Sequence, residues 1–123
     1  MTETRTLAVE TAMSEAATQA RMVLTTTANA EEAARISRTL VEERLAACAT
    51  LLPGAQSIYR WEGTVEEAAE TLLLLKTSAE RLAALEVRLH ELHSYETPEF
   101  LVLGVEAAST AYLAWLLESV RQG

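Results

Sequence analysis

Thr64-Val65-Glu66-Glu67-Ala68-Ala69-Glu70-Thr71-Leu72-Leu73-Leu74-Leu75-Lys76-Thr77 admits two readings, and the choice between them sets the topology of the chain. By propensity Val65 to Glu70 forms a helical turn, because Glu and Ala are good helix formers. Thr71 to Thr77 instead reads as a strand buried on both faces, a short apolar run closed by a lysine and a threonine. The preceding segment favours the strand throughout. Ser57-Ile58-Tyr59-Arg60-Trp61 alternates in polarity and meets Glu62-Gly63, a two-residue hairpin signal. A hairpin needs a partner strand, so the return strand extends back toward Thr64.

Working outward from that hairpin, Cys48 to Leu52 is a second extended stretch that runs into Pro53-Gly54, a turn or bulge signal. Upstream, Arg21-Met22-Val23-Leu24-Thr25-Thr26-Thr27 is apolar and β-branched and reads as a buried strand. Asn29 then offers an N-cap, with Glu31 and Glu32 in the first turn where the helix dipole favours negative charge. Ile36, Leu40, Val41 and Leu45 recur at helical spacing, so a helix is expected from Glu31 to about Ala46. Downstream, Leu82, Leu85, Leu89 and Leu92 give a second amphipathic helix with Ser78 as its expected cap. Pro98 follows it, and Phe100 to Val105 is the last main strand. Ser109 caps a final helix through Tyr112, Leu113, Leu116 and Val120.

The order is β-α-β-β-α-β with a C-terminal helix. That order predicts an α+β, ferredoxin-like antiparallel sheet with helices on one face. The opposite face is left open, and its apolar content points to contact with another subunit. Residues 1–19 carry no sustained apolar stripe and are expected to form a poorly ordered N-terminal extension, with the folded domain over 20–123.

Charge and composition exclude several functions. The 123 residues carry a formal net charge of −8, and the ten Lys and Arg are scattered without a basic run. That is a poor match to phosphate backbones, so nucleic acid is not an expected partner. Cys48 is the only cysteine, which excludes an intrachain disulfide and any paired-cysteine metal motif. No apolar run approaches a membrane span or a signal peptide, so no membrane association is expected and the cytoplasm is the expected compartment.

The chemistry-bearing residues gather at element ends. Tyr59 and Trp61 lie one strand period apart and share a face, either as packing residues or as a ligand platform. Lys76 closes an apolar strand, either reaching out to solvent or meeting an anion. His93-Ser94-Tyr95-Glu96-Thr97-Pro98-Glu99 places an imidazole, a phenol and carboxylates in one helix-to-strand turn. Histidine with carboxylates suits copper or zinc, and also acid–base chemistry, although His93 is equally placed to cap its helix. His90 falls on the helix exterior, and Cys48 reads as a small buried hydrophobe. No phosphate loop, nucleophile elbow or zinc-protease motif is present, so an enzyme is not expected.

Several stretches, in register, resemble the CutA divalent-cation-tolerance family. They are Glu43-Arg44-Leu45-Ala46-Ala47-Cys48-Ala49-Thr50, Pro53-Gly54, Ser57 through Gly63, and Leu75-Lys76-Thr77. His93-Ser94-Tyr95, Thr97-Pro98-Glu99 and Tyr112-Leu113-Ala114-Trp115-Leu116 complete the set. The resemblance covers about Met22 to Val120. It implies a ferredoxin-like homotrimer, similar to PII signalling proteins, with clefts between subunits and a link to tolerance of divalent cations, copper above all. It further implies Tyr59, Trp61, Lys76, Tyr95 and Trp115 as cleft residues, and His93 with Glu99 as ligands to copper or zinc. The alternative is a PII-like sensor that binds a small anion in the cleft and signals to an unidentified protein partner. Two departures stand out. The family commonly has proline where this chain has Ser94, which implies a less rigid loop. Thr25 and Leu92 stand where some members carry a cysteine and a histidine, which shifts the expectation from selective copper binding toward zinc or weak, non-selective binding.

Overall fold

The computed structural model describes residues 19–122. The extension expected over 1–19 lies outside the described residues except for Gln19, whose carbonyl accepts the Ala79 N–H at 2.8 Å. Four strands and three helices follow in the expected order. They are β1 (Ala20–Thr27), α1 (Ala30–Glu42), β2 (Cys48–Trp61), β3 (Thr64–Ser78), α2 (Leu82–Leu92), β4 (Leu101–Gly104) and α3 (Thr110–Ser119). The sheet order is β2-β3-β1-β4 and every pairing is antiparallel. Each helical crossover skips one position, which the other crossover's strand fills. This is the ferredoxin-like α+β fold.

The segment with two readings is strand throughout. Arg60 pairs with Val65, Tyr59 with Glu66, and Ala55 with Glu70. Helix propensity in Val65–Glu70 loses to a full ladder of backbone hydrogen bonds, and the turn sets the register. Glu62 (φ 48°) and Gly63 (φ 81°) are both left-handed, the backbone that a two-residue hairpin turn demands. Between Leu52 and Ala55 the pairing shifts by one extra residue, a bulge made at Pro53-Gly54 with Gly54 at φ 84°. Because β1 pairs with β3 only over Thr71–Ser78, the rest of the hairpin continues past the sheet as a two-stranded arm.

The main core lies on one face of the sheet. Val23, Leu73 and Leu75 pack there against Ile36 and Leu40 of α1 and Leu85 and Leu89 of α2. A second cluster joins Leu113, Leu116 and Val120 of the α3 region to Ala20 and Ala47. Ala20 is three residues from Val23, so the pleat puts it on the opposite face. The expectation of helices on one face is therefore corrected: α1 and α2 share a face, and α3 covers one end of the other. Small residues at positions 20 and 47 leave room for it. The remainder of that second face, Met22, Leu24, Leu72 and Leu74, is only half-buried. β3 is thus sealed on one face of a single chain rather than on both.

Helix boundaries differ locally from the expected ones. α1 stops at Glu42 because Arg44 adopts a left-handed φ of 59°, after which the Leu45 and Ala46 N–H groups turn back onto the Leu40 carbonyl. Leu45 and Ala46 stay in the core without being helical. Ser78 makes no side-chain cap, and a short 3-10 turn over Ala79–Arg81 leads into α2. Asn29 and Ser109 cap their helices as expected.

Two buried hydroxyls, Thr25 Oγ1 and Ser37 Oγ, have no hydrogen-bond partner among the described residues. An orphaned buried hydroxyl costs about 1–3 kcal/mol. Thr25→Val and Ser37→Ala should therefore each raise stability by about 1 kcal/mol. Urea unfolding of the two variants checks this, and a loss of stability in both would mean that these hydroxyls are satisfied in solution.

Candidate functional site

α2 ends at Leu92, and the His93 N–H closes it onto the Leu89 carbonyl at 2.9 Å. The chain then passes over the end of β1 near the root of the hairpin arm. His93 is buried, and both of its ring nitrogens are engaged by backbone. Nε2 lies 2.8 Å from the Thr26 carbonyl, and Nδ1 receives the Tyr95 N–H at 3.0 Å. An N–H pointing at Nδ1 assigns the proton to Nε2, so the imidazole braces the loop against β1. This leaves no ring lone pair facing outward in the observed geometry.

The brace places Tyr95. Its ring tilts against His93 with centroids 4.8 Å apart, and its hydroxyl donates to Glu70 Oε2 at 2.7 Å. Burial and the bond to Glu70 hold the phenol well above its ordinary pKa, and the charges of Glu70, Glu32 and Tyr59 add to the shift. Glu99 is raised too, first by burial and then by the Glu70 carboxylate. Tyr95, Glu70 and Glu99 thus form one electrostatic unit at the base of the arm, within reach of Tyr59.

Glu32, on α1, also belongs to this region although sequence reasoning gave it no site role. It is 7% exposed. Its Oε1 accepts the Ala28 N–H at 3.2 Å and its Oε2 accepts the Ser94 N–H at 2.7 Å. His93 Nδ1 and Arg35 each lie 3.9 Å from Oε2. The signal that could have found the local half of this arrangement is the spacing Asn29-x-x-Glu32, a capping-box pattern. The contact to Ser94 has no local signature. Burial pushes the Glu32 pKa up, but the Ser94 and Ala28 hydrogen bonds outweigh it and the net direction is down.

Lys76 lies elsewhere. It pairs with Cys48 and Met22, and Nζ donates to Thr50 Oγ1 at 3.1 Å. Beside it the Cys48 thiol and the Tyr112 hydroxyl are 3.6 Å apart, and Tyr112 packs on Trp115 with centroids at 5.4 Å. Cys48 is half-exposed rather than a buried hydrophobe. The six steps from Glu70 to Lys76 span about 20 Å of strand. Of the residues expected in one cleft, a single chain therefore gathers Tyr95 and Tyr59 at one end, with Trp61 further out on the arm. Lys76 and Trp115 stand at the other. His93 and Glu99 lie in one loop, but the described residues contain no group of three His, Cys, Asp or Glu side chains able to close around a metal ion.

Two other sequence expectations are clarified by burial. Thr25 is fully enclosed beneath the helices, so no side chain at that position reaches a surface ligand. Ser94 was expected to loosen its loop, yet the N–H that proline would lack is held by Glu32.

Fold and site together define a small ferredoxin-like α+β protein with a polar loop docked at the base of a hairpin arm and two sheet edges left open. Residues 21–119 match the family model described as CutA1 divalent ion tolerance protein, and the chain belongs to that family. It is 47% identical over 89 residues to the divalent-cation tolerance protein CutA of Pectobacterium atrosepticum, covering 72% of this chain and 81% of that protein. Identity to the Thermus thermophilus protein of the same name is 45% over 98 residues, covering 80% and 95%. The crystal structure of CutA from Xylella fastidiosa superposes with a TM-score of 0.82 at 41% identity, covering 84% of this chain and 99% of that one.

The lowered pKa of Glu32 sets a sign for acid stability. A carboxylate depressed below its ordinary value of 4.5 stabilises the fold above that value, and its contribution fades as pH falls through the depressed pKa. Glu32→Gln should therefore lower the melting temperature most near neutral pH and progressively less in acid. Thermal melts of both proteins from pH 7 downward test this. A gap that widens in acid would contradict the assigned direction.

Proposed function

We propose that this chain acts in tolerance of divalent cations as a cytoplasmic homotrimer that takes up copper or zinc at the base of the hairpin arm. The observation that carries this reading is the 2.7 Å bond from the Tyr95 hydroxyl to Glu70, which docks the loop bearing Glu99 at the arm; Glu99 is raised there first by burial and then by repulsion from the Glu70 carboxylate. A divalent cation relieves that repulsion, and both zinc and copper accept carboxylate oxygens. Two carboxylates do not fill a coordination sphere, so the remaining positions fall to water or to a neighbouring subunit. In this reading His93 orients Tyr95 rather than ligating the ion.

Assembly is supported by what a single chain leaves uncovered. Leu101, Val102 and Leu103 of edge strand β4 are each about half exposed, and Ile58, Trp61 and Val65 of the arm are more so. Open apolar edges of this kind are satisfied by pairing with further copies. Assembly would also set the Lys76–Trp115 end of one subunit against the arm of another, reuniting the cleft residues that one chain keeps apart. No helix among the described residues is long and apolar enough to cross a membrane.

Lys76 favours a second reading, a PII-like sensor for a small anionic ligand. The residue is half-buried, and its ammonium donates to Thr50 at the surface and meets no carboxylate among the described residues. An anion between Lys76 and the aromatic pair Tyr112 and Trp115 would use that charge.

Calorimetric titration of copper(II) and zinc(II) into metal-free protein, with a light-scattering mass, tests the first reading. A trimer mass is expected, with saturable binding weakened at least about tenfold in Glu70→Gln/Glu99→Gln, the scale of one lost charged ligand contact. Unchanged affinity in that double variant would sink the carboxylate site. For the second reading, a metabolite anion should raise the melting temperature of the native protein and not of Lys76→Ala. Equal shifts in both would rule out Lys76 as its contact.

A further inference from the structure

We infer that Glu32 is a positioning residue for the binding loop, acting through the Ser94 backbone to hold Tyr95 against Glu70. The inference rests on the reading of the Tyr95–Glu70–Glu99 end as the binding site. Its basis is a continuous set of contacts that starts on α1 and ends on the arm. Glu32 Oε2 takes the Ser94 N–H at 2.7 Å. One residue earlier His93 is fixed to Thr26, and one residue later the Tyr95 N–H is fixed to His93 Nδ1. The Tyr95 hydroxyl then reaches Glu70 Oε2. The His93 contacts set the plane and depth of the loop, and the Glu32 carboxylate supplies its anchor from a different element.

Glu32 is suited to that role because it is itself immobilised. It is 93% buried, since 7% is exposed, and its second oxygen is held by the Ala28 N–H at the start of α1. A buried carboxylate that accepts two backbone N–H groups is a strong, directional acceptor. Ser94 meets the carboxylate with its backbone N–H and with its side chain, and proline at this position would remove both. The anchor depends on having a donor at position 94. Proline there would remove the donor and instead stiffen the loop covalently. His93 already has an extended backbone (φ −81°, ψ 142°), the conformation that a following proline requires. Glu32 and proline at position 94 are therefore two alternative ways of fixing the same loop.

The test is a four-way comparison in the full-length protein: wild type, Glu32→Gln, Ser94→Pro and the double variant. Two quantities are read for each, hydrogen exchange at the Tyr95 amide by NMR and zinc(II) affinity by calorimetry. Glu32→Gln is expected to speed Tyr95 exchange and weaken zinc binding by about tenfold or more, the value of a lost charge-assisted hydrogen bond. In the Ser94→Pro background the same substitution should change neither quantity by more than about twofold, because the anchor has no donor left to hold. Ser109→Ala serves as control. It removes the α3 cap, lowers the melting temperature and leaves Tyr95 exchange unchanged. Equal effects of Glu32→Gln in both backgrounds would overturn the inference, as would a Ser109→Ala variant that loosens Tyr95 as much. If wild type binds no zinc, the cation reading fails by itself, and the exchange measurements alone decide whether Glu32 anchors the loop.

Discussion

The backbone pairing of β3 is the constraint on which the rest of the structure depends. From Leu72 to Lys76 the strand is paired on both sides, with β1 and β2, and Leu73 and Leu75 there complete the core under α1 and α2. From Thr64 to Glu70 it has β2 alone. One continuous strand is therefore both the centre of the sheet and half of a projecting arm, and the change falls at Glu70. An isolated two-stranded ribbon is only marginally stable in water, and the loop docked at its base ties the arm to the domain through Tyr95 and Glu70.

That boundary explains why the polar residues gather there. At Glu70 the sheet gives way to the ribbon, and the turn between α2 and β4 crosses the same place. His93 spends both ring nitrogens on backbone and so braces the loop against β1. The phenol of Tyr95 is left as the group that reaches across to the arm. Glu32 ties the loop to α1 as well, so three elements that are distant in sequence meet around one short turn. Glu99 carries the cost of this crowding, raised first by burial and then by the Glu70 carboxylate, and neither carboxylate has an ion-pair partner among the described residues.

Much of the fold was legible because periodicity and turn chemistry agree. The alternation from Ser57 to Trp61 and the Glu62-Gly63 turn were enough to overrule helix propensity in Val65–Glu70. Asn29 and Ser109 marked helix starts through caps that the structure contains. The boundaries that shifted have causes a linear pattern does not display. An arginine at position 44 does not announce a left-handed backbone, and Leu45 keeps helical spacing while turning into the core. The placement of α3 on the second face hinged on alanines at positions 20 and 47, whose smallness has meaning only once the strands are paired. For the site, residue types were readable but their contacts were not. Lys76 and Tyr59 looked like neighbours in function, although ten positions along β3 separate Lys76 from Glu66, the residue that pairs with Tyr59. Glu32 read as a helix-dipole carboxylate, and its bond to a backbone amide 62 residues away left no trace in the sequence.

The account turns on where a divalent ion sits relative to His93. Crystals of the protein grown with zinc(II), measured at the zinc absorption edge, locate it directly by anomalous scattering. The account predicts a peak in coordination range of the Glu70 and Glu99 carboxylates, with His93 still bonded to the Thr26 carbonyl and the Tyr95 N–H. A peak on an imidazole nitrogen of His93, with those backbone bonds broken, would contradict it.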